Sequence, residues 1–263
     1  MIKFGALIFA RMGSQRLPGK TLREARPGWT LLDMVYARAK KARSLSLIGV
    51  ATGDTKDNDA VEAHCNSKGY PCFRGSEEDV LGRGIAAARH FDLEDILWLT
   101  GDNPFIDGPL IDDAYAFYKA SGFDYVATTH MGHCDRWTAE RTFPRGVSIQ
   151  IMPRRVLEAV DSLARDSLDR ENGTSAIYFH PELFKLGAFS AEGPYALWRH
   201  PELRLTIDTP NDWALLEEVL TRLAPADPAS FDSVRAISLL AGQPGLAALN
   251  ADVQQRSALQ APS

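Results

Sequence analysis

Cysteine is scarce in this chain: Cys65, Cys72 and Cys134 are the only three, an odd number with no C-x-x-C spacing. That usage excludes a disulfide framework and suits free thiols in a reducing cytosol. Positive charge is not in excess either, since 29 Lys and Arg face 34 Asp and Glu for a net charge of −5. A net-negative chain is a poor general ligand for a polyanion, so roles on nucleic acid or a membrane surface are disfavoured. Long hydrophobic runs are missing: no stretch reaches the ~18 apolar residues of a membrane span. The apolar run Met1–Phe9 is too short for a signal h-region with its cleavage site, so a cytoplasmic location is expected. There is no internal repeat, and no G-x-S-x-G elbow supports a Ser-His-Asp triad.

What is present is ordinary globular material, with 45% hydrophobic and 24% charged residues in a chain of 263. At that length one continuous core needs no disulfide or structural metal. Apolar strand-like runs alternate with segments of helical spacing. They comprise Met1–Phe9, a helix carrying Leu31, Leu32, Val35 and Ala39, a strand Leu47–Thr52, a helix Asp59–Lys68, a strand Cys72–Arg74 and a helix Val80–His90. A strand Ile96–Thr100, a helix Leu110–Ala120 and Tyr125–Thr129 follow, then Val147–Met152, an amphipathic Arg155–Leu163, a strand Leu205–Ile207 and a helix Asn211–Leu223. This alternation predicts an α/β fold with a mostly parallel sheet and helices on both faces. The expected organisation is a single domain over 1–224, with an excursion around 130–190 serving an acceptor or a dimer contact. A C-terminal extension over 225–263 follows, disordered in its last part. Between Thr129 and Pro144 periodicity is lost, as in a substrate-covering loop.

Ligands of such sheets bind outside the carboxyl ends of the strands, so chemistry placed just after a strand carries weight. After the first strand comes Ala10-Arg-Met-Gly-Ser-Gln-Arg-Leu-Pro-Gly-Lys20, which puts two glycines and the cations Arg11, Arg16 and Lys20 at a strand end. Backbone amides and cations together can hold a polyphosphate. The bland account is a surface turn. A P-loop, G-x-x-x-x-G-K-S/T, is the rival functional account, but five residues rather than four separate Gly13 from Gly19, and Pro18 removes a donor. Asp102 and Asp208 each follow an apolar strand, and two carboxylates converging there make a hard-oxygen site for Mg²⁺ bridging phosphates. Thr209, Pro210 and Asp212 complete a helix cap without Asp208. Ser76 and Asp79 resemble a capping box, which leaves Arg74, Gly75 and Arg83 as the functional part of that strand end. His130, His133, Cys134 and Asp135 are a weak zinc candidate.

Taken together, Ala10–Lys20, Phe-Arg-Gly-Ser-Glu-Glu-Asp-Val-Leu (73–81), Thr-Gly-Asp-x-Pro-x-Ile-Asp (100–107), Thr-Phe-Pro-x-Gly (142–146), Asp-Arg-Glu (169–171) and Ile-Asp-Thr-Pro-x-Asp (207–212) resemble the spore-coat-polysaccharide type of cytidylyltransferase. These enzymes are related to those that make CMP-activated sugar acids such as CMP-Kdo and CMP-sialic acid. The resemblance runs in order from residue 2 to about 222. It implies a Rossmann-like nucleotidyltransferase, often a homodimer, in which an acceptor oxygen attacks the α-phosphate of CTP and pyrophosphate leaves. It further implies that Arg11, Arg16 and Lys20, with Ala10, Met12, Gly13 and Ser14 around them, hold the triphosphate. Asp102 and Asp208 would hold Mg²⁺, and Arg74, Ser76, Arg83 and Gly101 would lie near the nucleotide.

The acceptor half departs from that pattern. Relatives commonly read Phe-Pro-Asp-Gly-Leu-Asp-Val-Glu where this chain has Phe143-Pro-Arg-Gly-Val-Ser-Ile-Gln150, and Asp-Arg-Glu-His-Val-Thr-Pro where it has Asp169-Arg-Glu-Asn-Gly-Thr-Ser175. Positions 145, 148 and 150 together shift local charge by about four units toward positive. An anionic acceptor, phosphorylated or phosphonate-bearing, is therefore expected, paired by Arg145 and by Arg141 beside it. The competing account turns these side chains toward a dimer partner. Other functional expectations are a sugar-acid acceptor, a P-loop-like kinase or NTPase, and an inactive nucleotide-binding module.

Overall fold

In the computed structural model, which describes residues 3–128, 141–164 and 167–254, the first apolar run forms strand β1 (Phe4–Phe9). A strand that is apolar on both sides must be covered on both faces. Phe4, Ala6 and Ile8 point into one core and Leu7 into another. Around β1 the chain builds a seven-stranded sheet from β4 (Leu47–Gly53), β5 (Cys72–Gly75), β6 (Asp95–Thr100), β7 (Tyr125–Ala127), β8 (Gln150–Pro153) and β9 (Leu186–Ala188). A separate two-stranded hairpin consists of β2 (Glu24–Arg26) and β3 (Trp29–Thr30). The sheet order is β5-β4-β1-β6-β8-β7-β9, and β8 alone runs against its neighbours.

Helices α1 (Leu31–Ala39), α2 (Asp59–Lys68), α3 (Val80–His90), α4 (Gly108–Ser121) and α5 (Arg154–Asp161) alternate with the strands. Short helices α6 (Ser167–Asn172) and α7 (Ser175–Phe179) follow, and α8 (Pro210–Leu223), α9 (Ser233–Gly242) and α10 (Pro244–Ala247) close the chain. Residues of α1, α4, α8 and α9 pack on one face of the sheet, and those of α3, α5 and α7 on the other. The expected α/β architecture is therefore the observed one. After β1 the chain adds β4 and β5 on one side and then crosses to β6 on the other. The crevice at the carboxyl ends of β1 and β6 is thus the topological switch point, where such sheets bind ligands.

Two expected strands differ. Leu205–Ile207 alternates like a strand but joins no sheet: β8 pairs along Asp95–Trp98, and this segment meets the chain beyond the end of β6, at Asp102. The segment is held instead by an isolated bridge between Arg145 and Arg204 and by the Ile207 amide donating to the Asp102 carbonyl at 2.9 Å. Gly146 makes this approach possible: its φ is +98°, and a Cβ there would lie 2.3 Å from the Thr206 nitrogen. Val147–Ile149 is also not strand. The Thr128 hydroxyl donates to the Val147 carbonyl at 2.8 Å and accepts from the Ile149 amide at 2.8 Å, taking the place of a strand neighbour. The helix after β5 is capped by Asp79, whose carboxylate accepts from Gly82 N, while Ser76 accepts from the Asp79 amide one turn earlier. The reciprocal box centred on Ser76 does not form.

The stretch after α8 is built into the core. Leu240 and Leu246 lie in the same apolar cluster as β1. Buried Arg38 of α1 donates to the carbonyls of Ile106 (2.7 Å), Ala229 (3.1 Å) and Phe231 (2.7 Å) and to the Ser233 hydroxyl. Its guanidinium also lies 4.1 Å from the Phe231 ring centroid. Among the described residues no helix is long and apolar enough to cross a membrane. The loop beginning at Thr129, with His130, His133, Cys134 and Asp135, lies outside the described residues, as do residues 255–263.

Candidate functional site

The loop after β1 is closed by its own groups. The Ser14 hydroxyl accepts from Leu17 N at 3.3 Å, the amides of Ser14 (2.8 Å) and Gly19 (3.4 Å) donate to the Met12 carbonyl, and Gly19 takes a left-handed φ of +68°. Asn58 anchors the loop from outside by accepting from Met12 N at 2.9 Å, and the buried Ala10 amide donates to Ala51 O at 3.3 Å. The Thr21 hydroxyl donates to the Arg11 carbonyl at 2.7 Å. That bond closes the loop, and the lysine opens only a 3-10 turn, Lys20–Leu22. A P-loop needs that hydroxyl for Mg²⁺ and an α-helix for its dipole, so the P-loop expectation fails here.

Lys20 is the hub of the crevice. Its ammonium donates to Asp102 Oδ2 at 2.7 Å, Asp208 Oδ1 at 2.9 Å and the Ile207 carbonyl at 2.8 Å. Burial opposes the lysine charge, but Asp102 and Asp208 more than offset it, and its pKa lies above the ordinary lysine value. Asp208 has further cations around it, Arg16 Nη2 at 3.2 Å and Arg204 Nη2 at 2.8 Å. Burial works against its charge too, yet Lys20, Arg16 and Arg204 hold it below the usual carboxylate range. Asp102 enters on the turn after β6. There the Gly101 amide donates to Phe9 O at 2.8 Å, and a Cβ on Gly101 would come within 3.0 Å of that oxygen. The capping box of α8 forms as expected, with Asp212 Oδ2 accepting from Thr209 N at 2.8 Å, and it leaves the Asp208 carboxylate to the crevice.

The β5 end behaves differently. Arg74 is spent on α2, pairing with Asp59 at 2.7 Å and Glu62 at 2.9 Å. Arg83 is buried and donates to the carbonyls of Ser76 and Glu77, which shapes the loop from behind. What faces Gly13 is Glu77, whose carboxylate accepts from Asn58 Nδ2 at 2.7 Å and pairs with Arg11 at 3.5 Å. Arg11 also reaches Glu171 of α6 at 3.4 Å. Neither Asn58 nor Glu77 stands out in the sequence, because an asparagine before a helix and a glutamate in an acidic run both look like capping.

On the other side, Arg145 comes close to Asp208. Its amide donates to Leu203 O at 2.9 Å and its carbonyl accepts from Leu205 N at 2.6 Å, so the backbone is strapped to the segment that carries Asp208. Its guanidinium has no hydrogen-bond or ion-pair partner among the described residues. Burial, followed by repulsion from Arg141 and Arg204, lowers its pKa to about 10. Arg141 donates to Pro201 O at 2.7 Å, and its buried Nε has no hydrogen-bond partner among the described residues. Gln150 departs from the expected acceptor group: its amide oxygen is taken by the hydroxyls of Tyr125 and Thr174, each at 2.7 Å, so the lost charge there belongs to the sheet. Arg204 is the residue sequence reading missed. The signal was its spacing, since Arg204, Thr206 and Asp208 share one side of an extended segment.

The donor set fits a hard divalent cation. Two carboxylates and a carbonyl surround one cationic centre, the Lys20 ammonium, at 2.7–2.9 Å. Among the described residues no cluster of three or more His, Cys, Asp or Glu exists to make an all-protein cage. An ion of the Mg²⁺ type needs none, because it takes one or two carboxylates and completes its shell with phosphates and water.

A family model described as cytidylyltransferase matches residues 6–220. The spore coat polysaccharide biosynthesis protein SpsF of Bacillus subtilis (strain 168) is 32% identical over 212 residues, covering 79% of this chain and 82% of that protein. Uncharacterized protein MJ1063 of Methanocaldococcus jannaschii is 34% identical over 256 residues, 97% of this chain and 98% of its own. The solved structure of a cytidylyltransferase from Leptospira borgpetersenii serovar Hardjo-bovis superposes with a TM-score of 0.81 at 28% identity, covering 97% of this chain and 99% of that one.

Proposed function

The chain belongs to the cytidylyltransferase family, and from that premise we propose that it moves CMP from CTP onto an anionic small-molecule acceptor bearing a phosphate or phosphonate group. An acceptor oxygen forms a bond to the α-phosphorus, the bond from that phosphorus to the bridging oxygen breaks, and its electrons leave with pyrophosphate. The cations Arg11, Arg16 and Lys20 around the loop after β1 are suited to hold the triphosphate and to balance the charge that gathers on the leaving group. Asp102 and Asp208 would hold Mg²⁺, which when bound supplies charge neutralisation across the phosphates.

The observation that carries the acceptor reading is Arg145, a partly buried guanidinium whose charged neighbours are Arg141, Arg204 and Asp208. A dianion placed there relieves the repulsion among Arg145, Arg141 and Arg204. The acceptor's charge has a second use. Asp208 is held below the usual carboxylate range by Lys20, Arg16 and Arg204, which makes it a poor proton acceptor. A phosphoryl or phosphonyl oxygen is already ionised near neutral pH and attacks without a general base. The second reading, a sugar-acid acceptor, has in its favour the likeness to a spore coat polysaccharide protein. In that case the carboxylate would pair with Arg145 and a hydroxyl would be the nucleophile. Homodimerisation belongs to the same proposal, with exposed Leu183 and Leu197 as candidate contacts.

Pyrophosphate release measured with each NTP against acceptors grouped by charge tests both readings. Pyrophosphate should appear with CTP only when an anionic acceptor is present. Arg145→Ala should raise the KM for that acceptor about tenfold, roughly 1.4 kcal/mol, and leave the KM for CTP unchanged. Activity confined to uncharged or amine-bearing acceptors would defeat the phosphate reading, and so would an Arg145→Ala enzyme with unaltered acceptor kinetics.

A further inference from the structure

The family match stops at residue 220, yet the support beneath Asp208 is completed by a residue beyond α10. We propose that Asn250 is a positioning residue for the divalent-cation site, aiming the Asp208 carboxylate through Asp212 and Arg204. Asn250 is 2% exposed, and its Nδ2 donates to the Arg204 carbonyl at 3.0 Å and to Asp212 Oδ1 at 2.8 Å. Asp212 is fully buried. Its Oδ1 also accepts from Arg204 Nε at 2.8 Å, and its Oδ2 accepts from the Asp208 amide at 2.9 Å. Arg204 Nη2 then donates to Asp208 Oδ2 at 2.8 Å, while the other oxygen of Asp208 faces Lys20.

Asp208 is therefore gripped twice from one carboxylate: Asp212 holds its backbone amide directly and its side chain through Arg204. Asn250 fixes both ends of that arrangement, since its two amide hydrogens go to the Asp212 carboxylate and to the backbone of Arg204. Segment 204–208 lies outside any sheet and has few ladder bonds of its own. Without Asn250 the Arg204 carbonyl would lose a buried donor, and the segment would be free to shift. The same terminal stretch touches the phosphate loop, where Arg16 donates to the Gln254 carbonyl at 3.3 Å. The inference rests on the reading that Asp208 holds a divalent cation, and it is independent of which acceptor is used.

The test is a titration of the full chain with Mn²⁺ alone, following the free ion by electron paramagnetic resonance. Outer partners of metal ligands alter affinity by about tenfold or more. Asn250→Leu and Asn250→Asp should each raise the Mn²⁺ Kd about tenfold. Leu246→Ala, which loosens the same stretch through apolar contact only, should lower the Tm and leave the Mn²⁺ Kd at the wild-type value. If Asn250→Leu does not fold, Asn250→Ala, which has no donor and needs less space, carries the same criterion. Mn²⁺ affinity unchanged in the Asn250 variants, or weakened equally by Leu246→Ala, overturns the proposal, as does a wild-type protein that binds no Mn²⁺. Wild-type protein that binds Mn²⁺ but never releases pyrophosphate overturns the proposed function instead, and the Asn250 comparison is still decided.

Discussion

Asp102→Asn and Asp208→Asn should each lower turnover by about 100-fold, roughly 2.7 kcal/mol of transition-state stabilisation. The two carboxylates meet at one point from neighbouring segments, since a single ammonium bonds both at 2.7 and 2.9 Å. Replacing either oxygen anion by an amide keeps the shape and removes one unit of charge from a place where a cation belongs. Folding should survive both changes. Asp102 is the more open of the two, and in Asp208→Asn the Arg204 guanidinium retains Asp212 at 2.8 Å. Pyrophosphate release at increasing Mg²⁺ is the measurement, and the half-saturating Mg²⁺ concentration should rise in both variants. Near-normal turnover in one of them would mean that its carboxylate only braces Lys20.

Lys20→Ala should also lower kcat/KM about 100-fold, but with the opposite effect on metal binding. The ammonium bonds the same carboxylate oxygens that suit a divalent cation, so lysine and metal compete for them. Removing Lys20 leaves the carboxylates facing each other with less compensation, although Asp208 keeps Arg16 and Arg204. Lys20→Ala should therefore bind Mn²⁺ at least as tightly as wild type in the absence of nucleotide. Its Tm without metal should fall and be recovered by added Mg²⁺. Turnover should still be lost, because the charge leaving with pyrophosphate has no replacement partner. Loss of both metal affinity and turnover would instead make Lys20 a scaffold for the aspartates, and retention of turnover would remove it from the chemistry.

Much of this molecule was legible without coordinates because the signals are local. Helices Asp59–Lys68 and Val80–His90 follow from apolar spacing. The Thr209–Asp212 box follows from residues three apart that satisfy each other's donors. Lys20 and Asp102 follow β1 and β6, whose ends the parallel sheet places along one edge, whereas Asp208 reaches them on a segment that joins no sheet. What the sequence could not decide is which charges remain available. Arg74 and Arg145 look alike as arginines in short motifs, yet Arg74 lies against two carboxylates of α2, and Arg145 lies among other cations. That difference is set by segments remote in the chain, as are the grip of Asn250 on Asp212 and the place of Leu205–Ile207 beyond the end of β6. Propensity and capping act within a turn or two and can be read from the order of residues. Ion pairing, burial and strand adjacency depend on distances through space, and only the tertiary structure sets those.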